Sequence, residues 1–318
     1  MNELDAVAEC LRSGWLTMGP RTQAFEQALA EFTGAPHAIA VSSGTAALQL
    51  ACVALRLGPG DEVIVPAFTF SATAHAVRFA GATPVLCDVV SAQAPHIDPA
   101  DVERRITPRT RAVIAVHVFG HPADLTPLRA LCDAHGLALI EDAAQAFGAA
   151  VGTRGTLGCF SFGAGKQLSL GAGGLVTTAD DELAARVRLL RSHAMTSGTW
   201  DRHRGHASSY DVVDIGFNFR LDEPRAALGL AKLPNVPQEV ERRRAAARAA
   251  RDALTDGTPM FSLDGASPAV AGVLYDTPRE GRRYPALHEL PAFADLAAPG
   301  SLPRAEDAAR RHLALDVF

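Results

Sequence analysis

Short apolar runs and longer stretches of helical spacing alternate along most of the chain. The runs from Ala38 to Val41, Glu62 to Val65, Pro84 to Asp88, Ala112 to Val116, Leu137 to Glu141, Cys159 to Phe162 and Leu175 to Thr177 are short and rich in branched side chains, so they predict strands. Apolar positions recur every three or four residues from Ala46 to Leu55, Ser71 to Ala80, Pro99 to Arg105 and Leu125 to His135, which predicts helices between those strands. Further helices are predicted at Leu4 to Arg12, Thr22 to Phe32, Ala179 to Ser192, Pro224 to Leu233 and Glu239 to Leu254. Such alternation predicts an α/β fold on a mostly parallel sheet with helices on its faces. Ligands of such sheets bind beyond the carboxyl ends of the strands, which selects Ser42 to Thr45, Phe68 to Phe70, His117 and Glu141 to Gln145. The polar segment from Ser197 to Asp214 predicts an exposed excursion. Pro234 and Pro237 mark a boundary between a large domain, 1–234, and a smaller one, 235–318, in which the pattern fades after Leu254.

Composition narrows the class. With 318 residues, 48% hydrophobic and 20% charged, the chain is long enough for both domains and a sizeable core. A net charge of -5 gives no basic footprint for nucleic acid or an anionic membrane. No apolar run reaches the roughly 18 residues of a membrane span, and Met1 to Asp5 carry no basic, apolar signal, so a cytoplasmic protein is expected. The five cysteines (Cys10, Cys52, Cys87, Cys132 and Cys159) are scattered without a C-x-x-C pair and read as small core residues. His203 and His206 lack a cysteine or acidic companion at metal-ligand spacing and read as exposed loop residues, so no metal is expected.

Among 30 basic residues only two are lysines, Lys166 and Lys232. Lys166 sits in a loop of Gly, Ala and Ser between two predicted strands. Arginine cannot condense with a carbonyl, whereas a deprotonated lysine amine forms a Schiff base. A free lysine, with a pKa near 10.4, is almost wholly charged at pH 7, so a reactive one needs burial or a cationic neighbour. Ser43, Gly44 and Thr45 open a predicted helix after a strand. Such a start either caps the helix and binds nothing, or turns its N–H groups and hydroxyls toward an anion. Asp142 ends a buried strand, where an unpaired carboxylate carries a penalty on the order of several kcal/mol. It reads as a helix N-cap or as the partner of a protonated ring nitrogen, and in a helical turn Gln145 would fall on the same side. An anion cradle, an aromatic ring at Phe70, a carboxylate and a lysine are together what pyridoxal 5'-phosphate requires.

The segments AVSSGTAAL, GPGDEVIVPAFTFSATAHAV, ITPRTRAVIAVHVFG, LIEDAAQAFGA, GCFSF followed by a lysine, GFNFRLDEPRAALGL and YPALHELPAF resemble the pyridoxal-phosphate sugar aminotransferases of the DegT/DnrJ/EryC1/StrS group, over nearly the whole chain. The resemblance implies the fold-type-I aminotransferase architecture with a large cofactor-binding domain. It implies that Lys166 forms the internal aldimine and shuttles the proton, and that Asp142 keeps the pyridine nitrogen protonated. Gln145 would sit beside the phenolic oxygen, Phe70 would stack on the ring, and Gly44, Thr45 and Ser161, with the Ser43 hydroxyl, would hold the phosphate. Asn218 would reach the phosphate from the neighbouring subunit of a homodimer. The implied reaction moves an amino group from an amino acid, usually glutamate, to a keto-sugar nucleotide.

His193 and Arg220 match family positions near the active site, and Tyr284 and His288 fall in the segment of the small domain that makes them substrate candidates. His117, at a strand end, reads either as pocket lining or as a packed, hydrogen-bonded histidine. Two departures stand out: Ala172 replaces the glutamate of the usual GEGG, and a strand-helix-strand portion is skipped between Ser262 and Val273, which shortens the small domain. They keep an impaired or accessory homologue in view. Relatives on the same scaffold that act on cyclitol or aminobenzoate-type ketones supply a further alternative.

Overall fold

A computed structural model describes residues 2–198, 200, 203–205, 208–281 and 283–317, so His206 lies outside the described residues. Each of the apolar runs named above forms a strand, with ends shifted by a residue or two: β1 (His37–Val41), β2 (Glu62–Pro66), β3 (Thr83–Cys87), β4 (Thr110–Val116), β5 (Ala138–Asp142), β6 (Leu157–Ser161) and β7 (Gly174–Thr178). They build one seven-stranded sheet in the order β1-β7-β6-β5-β4-β2-β3. Only β7 runs against its neighbours; the pairs from β6 to β3 are parallel.

Successive strand residues face opposite sides, and both sides are covered, which is why the runs read as continuously apolar. Ile39, Val41, Val63, Val65, Ile140, Cys159 and Val176 pack with α3 (Gly44–Ala54), α4 (Ala72–Phe79) and α7 (Asp181–Arg191). On the other side, Ala38, Ala40, Phe160 and Leu175 meet α2 (Pro20–Thr33), α8 (Glu223–Lys232) and α9 (Val236–Asp252). Ile64, Val113 and Leu139 meet α5 (Pro99–Arg105) and α6 (Thr126–His135). The first helix, α1 (Glu3–Ser13), lies on α8. Pro237 occupies the first turn of α9, where a missing N–H is no loss, so this helix begins at Val236 rather than at Glu239.

The last part of the chain forms a small antiparallel sheet, β8 (Thr258–Pro259), β9 (Val270–Leu274) and β10 (His312–Asp316), with α10 (Pro303–Arg311) before its final strand. Met260, Val270, Leu287, Phe293, Leu302 and Ala305 belong to the same apolar cluster as β2 and α4. A polar clamp adds to this contact: Asp88 Oδ1 accepts from the Ala305 N–H at 2.8 Å, and its Oδ2 from Arg304 Nε at 3.1 Å.

The amino-terminal helices depend on a second buried carboxylate. At the start of α2, Gly19 has no side chain to cap the helix and Pro20 has no N–H. Glu223, fully buried at the head of α8, takes over the cap: it accepts from the N–H groups of Gly19, Arg21 and Thr22 and from the Thr22 hydroxyl, all at 2.8–2.9 Å. Glu223→Ala strands several buried donors and is expected to cost roughly 3 kcal/mol in urea unfolding; a loss under about 0.5 kcal/mol would show that water replaces the cap.

Candidate active site

The strand ends and the β6–β7 loop converge on a cavity of about 640 Å³, well within the range of small-ligand sites. Ser43, Gly44, Thr45, Phe70, Asp142, Gln145, Ser161, Lys166 and Tyr284 line it, together with Thr69, Leu48 and Arg283.

The loop is positioned by its hairpin. β6 and β7 pair antiparallel, and Phe162 closes the connection at both ends: its N–H donates to the Gly173 carbonyl at 2.8 Å and its carbonyl accepts from Leu170 at 2.9 Å. Leu168 and Leu170 are buried and anchor the loop below, which leaves Lys166 beside the cavity.

At one part of the wall, α3 begins. The Ser43 hydroxyl accepts from the Ala46 N–H at 3.0 Å, and its carbonyl takes the Ala47 N–H. The first N–H groups of a helix have no intrahelical partner, so those of Gly44 and Thr45 are available to a ligand. Gly44 permits a close approach: a Cβ there would stand 2.7 Å from Ser161 Cβ, so glycine alone lets the Ser161 hydroxyl join the same cradle. The cap and anion readings of this segment are therefore compatible, because Ser43 caps while its neighbours face the cavity.

Asp142 heads no helix. Its Oδ1 accepts from the Ala144 N–H at 3.2 Å across a tight turn, and its Oδ2 accepts from the Thr73 hydroxyl at 2.8 Å. Because Thr73 spends its proton there, Thr69, 2.9 Å away, donates to Thr73. Burial pushes the Asp142 carboxyl above its usual range, against the lowering influence of Thr73, Ala144 and the charge of Lys166. Gln145 follows through the turn. Its Oε1 accepts from the Phe119 N–H at 2.7 Å, which leaves Nε2 as the free, donating end. Phe119 itself sits at a φ of 57°, and Gly120 beside it at 92°; a Cβ on Gly120 would strike the Ser267 carbonyl at 2.0 Å. Phe70 is 60% exposed, so its ring is open to a ligand at the rim.

Other expected residues lie elsewhere. His117 is buried and turned from the cavity: Nδ1 accepts from the Ala123 N–H at 3.0 Å, so Nε2 carries the hydrogen that it donates to Glu141 at 3.0 Å. With both nitrogens used, it is the packed histidine of the two readings. His288 is also buried, its Nε2 2.9 Å from Glu306, where it joins the turn at residues 287–289 to α10 and does not line the cavity. His193 and Arg220 line a separate, open depression with Tyr210 and Val212, and exposed Asn218 bridges to Ser192 outside the main cavity of its own chain. His203 is exposed and lies tilted against Trp15, with centroids 4.6 Å apart. Thr69 falls in the selected segment from Phe68 to Phe70, but sequence reasoning missed Thr73 and Arg283; the four-residue spacing of Thr69 and Thr73 was the one available clue.

A helix-start cradle, an exposed ring, a buried carboxylate short of donors, an amide presenting its N–H and a lysine together fit the phosphate, ring, ring nitrogen, phenolic oxygen and aldehyde of pyridoxal phosphate. The comparisons agree. The spore coat polysaccharide biosynthesis protein SpsC of Bacillus subtilis (strain 168) is 42% identical over 247 residues, 76% of this chain and 63% of SpsC, so the chain spans under two thirds of that relative. S. venezuelae DesV, solved in complex with a ketimine intermediate, is 37% identical and superposes with a TM-score of 0.86 over 99% of this chain and 88% of DesV. The PMP-form of Spr1654 from Streptococcus pneumoniae is 25% identical, with a TM-score of 0.91 over 99% of this chain and 91% of Spr1654. Residues 1–273 match the model of the DegT/DnrJ/EryC1/StrS aminotransferase family, and the chain belongs to that family.

Proposed function

We propose that this chain is a pyridoxal-phosphate-dependent aminotransferase that takes an amino group from an amino acid, glutamate in the first instance, and delivers it to the ketone of a nucleotide-linked keto-sugar. The observation that carries the reading is the convergence of Lys166, Asp142 and the open helix start of α3 on one cavity.

When bound, pyridoxal phosphate supplies an aldehyde and a protonated ring that draws electrons from the α-carbon of an attached amine. Lys166 would be the residue whose amine anchors that aldehyde. Its amine, when not so engaged, would take a proton from the substrate's α-carbon and return it. Asp142 would hold the proton on the ring nitrogen, and that cation would stabilise a carboxylate that burial leaves strained. Gln145 Nε2 would donate to the phenolic oxygen, Phe70 would cover the ring, and Ser43, Gly44, Thr45 and Ser161 would bind the phosphate. Arg283, a cation on the cavity wall, suits an anionic substrate such as a nucleotide diphosphate, and Tyr284 lies next to it.

The same reading makes the enzyme a homodimer with shared sites. Val212, Val213 and Ile215 are 59–84% exposed and lead to Asn218, an apolar strip suited to a second copy of the chain, through which Asn218 reaches the other phosphate cradle. Among the described residues no helix is long and apolar enough to cross a membrane. Five buried, unpaired cysteines favour a reducing compartment, the cytoplasm.

Three measurements test this reading. Purified chain with pyridoxal phosphate is expected to show a band at about 410–430 nm that glutamate converts to a shorter-wavelength form. Lys166→Ala is expected to show neither, and a wild-type band indifferent to glutamate would exclude glutamate as donor.

The second concerns pH. A carboxyl whose folded pKa is raised above 3.8 adds stability below that value and loses it as pH rises through the folded pKa, so at neutral pH ionised Asp142 is strained in the cofactor-free protein. Asp142→Asn is expected to raise the thermal midpoint of the cofactor-free chain at pH 7 by about 2–4 °C while weakening pyridoxal phosphate roughly 100-fold. Wild-type affinity should fall as pH drops through the raised pKa, and that fall should vanish in the variant. A variant that melts lower would mean that the Thr73 and Ala144 hydrogen bonds outweigh the strain.

The third uses subunit mixing. Refolding Lys166→Ala together with Asn218→Ala is expected to restore about a quarter of wild-type activity, because half the dimers then carry one intact site. No recovery would place Asn218 outside the partner's site.

A further inference from the structure

Behind the lysine loop lies a second cavity, of about 370 Å³, in which Gln167, Glu239 and Arg243 stand on the far side of Lys166 from the cofactor site. Arg243, on α9, is only 3% exposed. Its Nη1 donates to the Gly165 carbonyl at 2.8 Å and its Nη2 to the Lys166 carbonyl at 3.1 Å, while Nε pairs with Glu239 Oε1 at 2.7 Å, one helical turn away. The fork therefore grips two successive carbonyls, the second belonging to the reacting residue itself, and Glu239 fixes the direction of the fork. On the following residue, Gln167 Nε2 donates to the carbonyls of Gln145, at 2.7 Å, and Ser267.

We propose that Arg243 is the positioning residue for Lys166, holding the lysine backbone from behind so that its amine meets the reacting carbon in one geometry. The proposal rests on the reading of Lys166 as the reacting amine. The physical need is plain in the loop, where Gly163, Gly165, Gly171 and Gly173 surround the lysine. Glycine loses more conformational freedom on ordering than any other residue, so this segment has little rigidity of its own. A misplacement of about 1 Å in a reacting group reduces rate on the order of 100-fold. Burying a guanidinium is also unfavourable unless its donors are satisfied. Two of its donors are met by the carbonyls of Gly165 and Lys166. A role limited to closing the core would not select those atoms.

The two-lysine composition makes the test direct. The cofactor-free protein is reductively methylated with ¹³C-formaldehyde, and the Lys166 methyl signal is assigned by its loss in Lys166→Ala. Arg243→Lys keeps the charge and loses the fork, and the methyl signal that it adds is told from that of Lys166 by its persistence when Lys166→Ala is combined with it. The variant is expected to lower kcat about 30-fold, to change both KM values by less than about three-fold, and to narrow the Lys166 methyl line as the side chain gains mobility. Glu239→Gln leaves the fork but loosens its anchor, and an intermediate narrowing with a roughly three-fold loss of kcat is expected. Should Arg243→Lys fail to fold, Glu239→Gln carries the test. A folded variant whose Lys166 line matches wild type overturns the proposal, whatever its activity. A narrowed line in a protein that transaminates nothing upholds the clamp and overturns the proposed function alone.

Discussion

Two carboxylates in sequence, Glu141 and Asp142 at the end of β5, set the terms for everything around them. The strand turns them to opposite sides, and both are almost wholly removed from water. Burial pushes each toward the neutral form, yet the outcomes differ. Glu141 accepts from His117, Gly152, Arg154 and Gly155, and those donors overcome burial and hold its carboxyl below the usual range. Asp142 has Thr73 and Ala144, and burial prevails. One carboxylate is spent on fastening the loop at residues 152–155 to the sheet; its neighbour is left with fewer donors than its burial calls for. The difference lies in the number of N–H and O–H donors that the fold aims at each.

The sheet was legible in the sequence because its strands are buried on both faces, and a strand of that kind reads as an unbroken apolar run wherever it sits. The part of the site that follows directly from strand ends was legible for the same reason: Ser43 to Thr45, Asp142 and Lys166 each come just after such a run. Side-chain direction was not. His117 has the same position in the pattern as the cavity residues, and only the Ala123 N–H and Glu141 show that its ring turns away. Thr73 is one small polar residue in a helix of small residues. Arg243 stands in an arginine-rich helix whose other members are indistinguishable from it by type.

Beyond Leu254 the pattern failed for a different reason. β8 has only two residues, and Val270 and Leu274 of β9 with Ala314 of β10 join the cluster under the large sheet instead of forming a periodic core of their own. That segment nevertheless supports the site. The Ser267 N–H donates to Gly120 at 2.9 Å, the Ala269 N–H donates to Phe119 at 2.9 Å, and the Ser267 hydroxyl donates to the Phe147 carbonyl. These contacts hold the left-handed turn that points the Phe119 N–H at Gln145, so the carboxyl-terminal segment helps orient a cavity residue.

The approach of Gly44 to Ser161 joins two elements that otherwise belong to different connections, the head of α3 and the end of β6. A phosphate held between them would act as a non-covalent cross-link over that joint. Cofactor occupancy and resistance of the joint to opening would then be one thermodynamic quantity, and a phosphate-free analogue of the same ring would leave the seam unbraced however well the ring itself was bound.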